Sequence, residues 1–342
     1  IFAITDCTTF FLMNAVESLV MWAGANRVGI HAMQIGSISA LIEYAMLIMF
    51  FMMMAQFAML EIPRALACLE RSAEVLNQKP TIADGSSKTV SFGQTDEVAR
   101  FDHASLRFDD ADEDALQDLC FSLRRGQTTA IIGNTGSGKS TIAKMLLRFS
   151  DVTGGCLTFG DADIRDLPQA ELRSHIAYVP QKAWLFSGTI AENLRFGDEH
   201  ADDACLWHAI DVAQGAFVRE LKDGLDTPVA QGGTNFSGGQ RQRLAIARAL
   251  TRHADLYIFD DSFSALDYKT DAALRHALKD ELAHAAVLIV AQRVSTIRNA
   301  DQIIVLSDGC IVGLGTHDEL MRTCQTYKDI SDSQTRGGEQ NV

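Results

Sequence analysis

From Tyr44 to Leu60 the sequence reads YAMLIMFFMMMAQFAML, seventeen positions without a charged side chain. With Ile38–Ile42 in front, this makes a helix long enough to cross a hydrocarbon core, which takes about 20 apolar residues. In the first 62 residues only Asp6, Glu17, Glu43, Glu61 and Arg27 are charged, and nine of the eleven methionines precede residue 60. The alternative, a buried helical pair in a soluble domain, needs a solvated face that so few polar side chains cannot build. We therefore read a membrane hairpin. Its first helix, Ile1–Trp22, is the poorer span because it carries Asp6 and Glu17, and Gly24, Arg27, Gly29 and Gly36 mark the loop. Arg64, Arg71 and Lys79 follow the second helix, whereas the loop offers only Arg27, which puts the rest of the chain on the cytoplasmic side. No basic segment precedes the first helix, so it is not read as a signal peptide. A chain that opens at Ile1 inside an apolar helix is expected to be a piece of a longer one.

Beyond the hairpin the chemistry changes. Glu61–Leu76 (EIPRALACLERSAEVL) keeps helical periodicity, with Pro63 bending rather than ending the helix. Lys79–Glu97, rich in Gly, Ser, Thr and Asp, reads as a linker. The expected organisation is a helical hairpin over 1–76, a linker over 77–97, a globular domain over 98–330 and a polar tail over 331–342. In the globular part, Thr128–Ile132, Leu256–Phe259 and Val287–Val290 are short apolar strands between amphipathic helices, which predicts a mostly parallel, doubly covered α/β sheet. A formal charge of −14 argues against a nucleic-acid partner, which requires a basic face. Seven scattered cysteines without a CxxC pair predict neither a disulfide framework nor a zinc site, and a reducing compartment.

The globular part carries one motif with its own mechanism. Gly133, Asn134, Thr135, Gly136, Ser137, Gly138, Lys139 and Ser140 fit GxxxxGK[ST] between a strand and a helix expected over Lys139–Arg148. Glycines let backbone N–H groups turn toward phosphate oxygens, and the helix N-terminus at Lys139–Thr141 adds partial positive charge. Lys139 is expected on the terminal phosphates of ATP and the Ser140 hydroxyl on Mg2+. Downstream, Phe236-Ser237-Gly238-Gly239-Gln240 opens a helix that Ser237 would cap. The apolar strand in DLYIFDD ends at Asp260, a position suited to the Mg2+ shell. SALD (Ser264–Asp267) and VLIVAQR (Val287–Arg293) follow.

FSGGQ, SALD and the order of these elements resemble the nucleotide-binding domain of ABC transporters. The hairpin resembles the last two membrane helices of an ABC exporter half, and the likeness covers about residues 1–330. The fold it implies is an α/β P-loop NTPase with antiparallel β and helical subdomains, preceded by an all-α transmembrane hairpin. It also implies that Phe108 stacks on adenine and that Gln181 joins the Mg2+ shell. Ser237, Gly238, Gly239 and Gln240 would contact the γ-phosphate held by a partner subunit, with Asp267 communicating across the dimer. The resemblance implies ATP hydrolysis coupled to export across the plasma membrane, with the nucleotide-binding domain cytoplasmic. The competing class, soluble ABC-type ATPases, has no membrane hairpin.

Two departures from the family pattern stand out. Asp261 occupies the position where active members carry a catalytic Glu, and Gln292 the position of the switch His. The shorter carboxylate draws back from an attacking water, and a glutamine cannot carry positive charge toward developing anionic oxygen. Both losses fall on the same site, built on Lys139, while the signature is intact. The chain thus resembles the degenerate-site half of a heterodimeric exporter; the alternative is a homodimer with a slow, Asp-based site. Gln231 also replaces a common Glu, without an assigned consequence. Asp6 and Glu17, eleven positions apart, share a helix face and are candidates for the substrate path. Met52–Met54 read as adaptable packing. Trp184 and Phe186 read as packing under the membrane domain, and the nine histidines as dispersed.

Overall fold

The computed structural model describes residues 2–30, 34–86, 89–93 and 95–339, in two compact units, Ile1–Thr81 and Ile82–Val342. The first is a helical pair: α1 (Phe2–Gly29) and α2 (Ile35–Asn77). The two helices are longer than the glycines suggest. Gly24, Arg27 and Gly29 lie inside α1 and Gly36 inside α2. Gly24 is buried where the helices meet, and a Cβ there would come within 2.8 Å of Ile38, so this glycine marks a close approach instead of a turn. α2 runs unbroken through Pro63 for 43 residues. At 1.5 Å per residue it is about 65 Å long, roughly twice a hydrocarbon core. Its apolar part reaches a mean hydropathy of 2.0, long and apolar enough to cross a membrane. Met52, Met53 and Met54 are exposed on this pair. Glu17 lies half-buried beside Met13, Val16, Ile42 and Met46 at the seam between the two helices, while the side chain of Asp6 lies outside the described residues.

The second unit is built on a six-stranded sheet. Its order is Cys310–Gly315, Gln302–Ser307, Thr128–Gly133, Ala286–Val290, Leu256–Asp260, Ile176–Val179, and only the first pair is antiparallel. The central strands are apolar along their whole length because both faces are covered. Alternation still sorts them: Ile131, Ile258, Leu288 and Ile304 belong to one core cluster, and Ile132, Phe259, Ile289 and Val305 to the other. A four-stranded antiparallel sheet (Leu116–Arg124, Glu97–Leu106, Gly154–Phe159, Ala162–Asp163) closes the first cluster. The helices Ile190–Arg195, Asp203–Val212 and Gly238–Leu250 close the second.

Two boundaries differ from the expectation. Part of the linker docks: Val90 and Phe92 pack on the antiparallel-sheet core, and the Arg148 guanidinium, 2% exposed, donates to Ala83 O at 2.9 Å and Leu167 O at 2.7 Å. At the C-terminal end a helix runs into the expected polar tail. It spans Gln325–Glu339, anchored by a fully buried Tyr327 whose hydroxyl lies 2.8 Å from His317 Nδ1. All seven cysteines are free thiols. The histidines are less isolated than their dispersal suggests, since His103 and His175 meet Asp118 and Asp255 at 2.5 and 2.6 Å.

Candidate functional site

The phosphate loop leaves the central strand Thr128–Gly133 and enters the helix Lys139–Leu146, two residues shorter than expected. Gly138 sits at φ +96, where an L side chain is strained, and a Cβ would strike Leu116 at 2.6 Å. Gly133 approaches Leu306 O so closely that a Cβ would lie 2.1 Å from it. The Lys139 ammonium folds back onto the loop, donating to Gly133 O at 2.8 Å and Asn134 O at 2.6 Å. Burial holds it below the usual lysine range, against the pull of Asp261 and Asp260.

Parallel strand order brings the remaining groups to this loop. Asp260 ends the strand Leu256–Asp260, 4% exposed, and accepts from the Ser140 hydroxyl at 2.8 Å. Tyr178, on the neighbouring strand and not singled out from the sequence, donates to the other Asp260 oxygen at 3.2 Å. Burial and that carboxylate push the Tyr178 phenol well above its ordinary range. Its signal in the sequence was only a polar tip on a strand flanking DLYIFDD.

Asp261 follows in the left-handed region at φ +48, a conformation Asp tolerates better than longer side chains. Its Oδ2 accepts from two amides, Gln292 Nε2 at 2.7 Å and Gln181 Nε2 at 3.0 Å. Burial raises the Asp261 carboxyl above its ordinary range, with the amide donated by Gln181 opposing. The donors Ser140, Asp260 and Gln181 are a hydroxyl, a carboxylate and an amide, hard oxygen chemistry that fits Mg2+.

Together these groups line a cleft of about 260 Å³, formed by Thr135, Gly136, Gly138, Lys139, Ser140, Thr141, Gln181, Asp260, Asp261 and Gln292 with Val290. Gly133, Asn134 and Ser137 belong to the loop without lining this cleft. Phe108 is 44% exposed, on the segment between the strands Glu97–Leu106 and Leu116–Arg124, and does not line the cleft.

The signature residues stand apart. Ser237 caps the helix Gly238–Leu250 in a reciprocal box with Gln240: the Ser237 hydroxyl accepts from Gln240 N at 3.2 Å, and the Gln240 amide oxygen accepts from Ser237 N at 2.9 Å. A Cβ on Gly238 would meet open space, and one on Gly239 would touch Ala265 O at 3.4 Å. Asp267 caps the helix Tyr268–Glu281 through Thr270 N. None of these five residues lines the Lys139 cleft. Trp184 and Phe186 are each 47% exposed; Phe186 packs on Phe196, and Gly232 lies against the Trp184 ring.

A buried loop lysine and a strand-end carboxylate bonded to the loop serine define a P-loop nucleotide-binding domain, with a Ser-capped glycine pair standing apart from the cleft. Residues 116–264 match the family model described as ABC transporter. An uncharacterised ABC transporter ATP-binding protein of Mycobacterium bovis is 41% identical over 96% of this chain and 56% of its own length. The ATP-dependent lipid A-core flippase of Albidiferax ferrireducens is 39% identical over 79% of this chain and 46% of its own. The structure of a bacterial Atm1-family ABC exporter with ATP bound aligns with a TM-score of 0.84 at 28% identity, over 97% of this chain and 59% of that one. The chain thus spans about half the length of the curated relatives it matches.

Proposed function

We propose that this chain is the ATP-binding and ATP-hydrolysing portion of one half of an ABC exporter in the plasma membrane. Its α/β domain is cytoplasmic, and it works in a heterodimer whose competent ATP site is completed by this chain's signature. The observation that carries the degenerate reading is the Asp261 carboxylate, whose Oδ2 is held by Gln292 and Gln181 together. A carboxylate engaged by two neutral amides is poorly placed to orient water, and neither amide supplies charge to the transition state.

In this mechanism the loop N–H groups and Lys139 bind the ATP phosphates, so Lys139 exchanges its contacts with Gly133 O and Asn134 O for phosphate oxygens. Ser140, Asp260 and Gln181 hold Mg2+, which when bound neutralises charge on the terminal phosphates. Phe108 offers a π-face to adenine. Gln292 can donate to the γ-phosphate and hold it without promoting cleavage. Ser237, Gly238 and Gly239 present a second set of N–H donors, outside the chain's own cleft, to nucleotide on the partner. ATP binding closes the two halves, and closure drives the membrane helices outward only as far as ATP prefers the closed state.

The purified chain is accordingly expected to bind Mg-ATP at micromolar concentration and to hydrolyse it at about one-hundredth the rate of the assembled pair or less. Titration calorimetry and phosphate release check this. Brisk turnover by the chain alone contradicts the degenerate reading and favours the homodimer.

A further inference from the structure

The segment around Gln292 has a partner that the family motifs do not contain. Gln334, on the helix Gln325–Glu339, donates from Nε2 to Gln292 O at 2.7 Å and accepts at Oε1 from Val294 N at 2.8 Å. The residue between, Arg293, is extended at φ −108 and ψ 129. In an extended strand the carbonyl of one residue and the N–H two positions on point to the same side. The Gln334 amide therefore takes the two bonds that the N–H and C=O of one residue on a parallel neighbour would take. Only a primary amide on a side chain of this length supplies both donor and acceptor.

The helix that carries it is fixed. Tyr327, Ile330 and Gln334 fall at i, i+3 and i+7, one face of the helix. Tyr327 is fully buried and Ile330 packs on the same core cluster, so the start of that face is held against the domain, with Gln334 at its exposed end. On the other side of the segment, the Gln292 side chain donates to Asp261. One short stretch of backbone thus joins the C-terminal helix to the nucleotide cleft.

We propose that Gln334 is a positioning residue: by bridging Gln292 O and Val294 N–H it holds the switch segment so that the Gln292 amide stays in the Lys139 cleft. The proposal rests on the reading of that cleft as the ATP site. It makes the C-terminal helix a determinant of how long this chain retains nucleotide, independent of the rate at which nucleotide is cleaved.

The test uses the whole chain with two substitutions, Gln334→Ala and Gln334→Glu, and Asp332→Ala, an exposed position on the same helix, as control. Two quantities are read: hydrogen exchange at the Val294 amide, and release of trinitrophenyl-ATP with Mg2+. Gln334→Ala is expected to speed Val294 exchange about tenfold and nucleotide release about three- to tenfold, the scale of one or two lost hydrogen bonds. Gln334→Glu keeps an acceptor for Val294 and sets a carboxylate against Gln292 O. It is expected to leave Val294 exchange within about threefold of wild type and still to speed release. Asp332→Ala should match wild type in both. Unchanged Val294 exchange in Gln334→Ala overturns the contact. Faster exchange with unchanged release in both variants overturns the positioning role. Val294 exchange is read without turnover, so its result stands even if brisk hydrolysis by the chain alone removes the degenerate-site reading.

Discussion

Replacing Ser237 by Asp in the assembled transporter is expected to cut ATP turnover about 100-fold while ATP still binds the Lys139 cleft of the same chain. The substitution separates folding from function. Asp is as good an N-cap as Ser, so the helix Gly238–Leu250 keeps its first turn. What changes is the charge presented outward, where Gly238 leaves open space and the first N–H groups face solvent. A carboxylate there repels a phosphate that the helix N-terminus would otherwise attract. Because Ser237 does not line the cleft around Lys139, the damage must appear at nucleotide held elsewhere. Phosphate release by the pair, together with nucleotide binding by the variant chain, reads both halves of the expectation. Normal turnover would show that the signature serves no partner site.

The second large effect runs in the opposite direction. Asp261→Glu with Gln292→His is expected to raise hydrolysis at this chain's own site by about 10- to 100-fold. Glu carries the carboxylate about 1.5 Å further from the backbone, toward the cleft. His removes the amide that now donates to Asp261 Oδ2 and adds a group able to carry positive charge. The gain is partly offset because residue 261 has φ +48, where Glu is less at home than Asp. Either substitution alone should therefore give much less than the pair, since each leaves one defect in place. Steady-state phosphate release by the chain, in a background where Ser237→Asp silences the partner site, checks it.

Much of this site was legible because its parts are local. The phosphate loop needs particular residue types at adjacent positions, and Ser237 with Gln240 forms its cap within four residues, so their spacing carries their chemistry. The contacts that decide activity are of another kind. Gln181, Asp261 and Gln292 meet only because the strands before them are neighbours in the sheet, and no local pattern announces that two amides share one carboxylate oxygen. Tyr178 was missed for the same reason. The hairpin turn was misplaced because a glycine that lets two helices approach looks, in sequence, like one that breaks a helix. The helix that runs into the tail was not foreseen: polar residues obscured the i, i+3, i+7 spacing of Tyr327, Ile330 and Gln334, and that spacing brings the exposed Gln334 amide to Gln292 O and Val294 N. The docked stretch around Val90 and Phe92 shows the same weakness, two apolar side chains outvoted by their polar neighbours.

ATP in the Lys139 cleft is expected to be held, and not promptly cleaved, while the assembled transporter works. The direct measurement is photocrosslinking of azido-ATP labelled on either the α- or the γ-phosphate during steady turnover with Mg2+. This chain is expected to carry both labels in near-equal amounts through many turnovers, whereas the partner is expected to lose the γ label quickly. Loss of the γ label from this chain at the rate of turnover would contradict it.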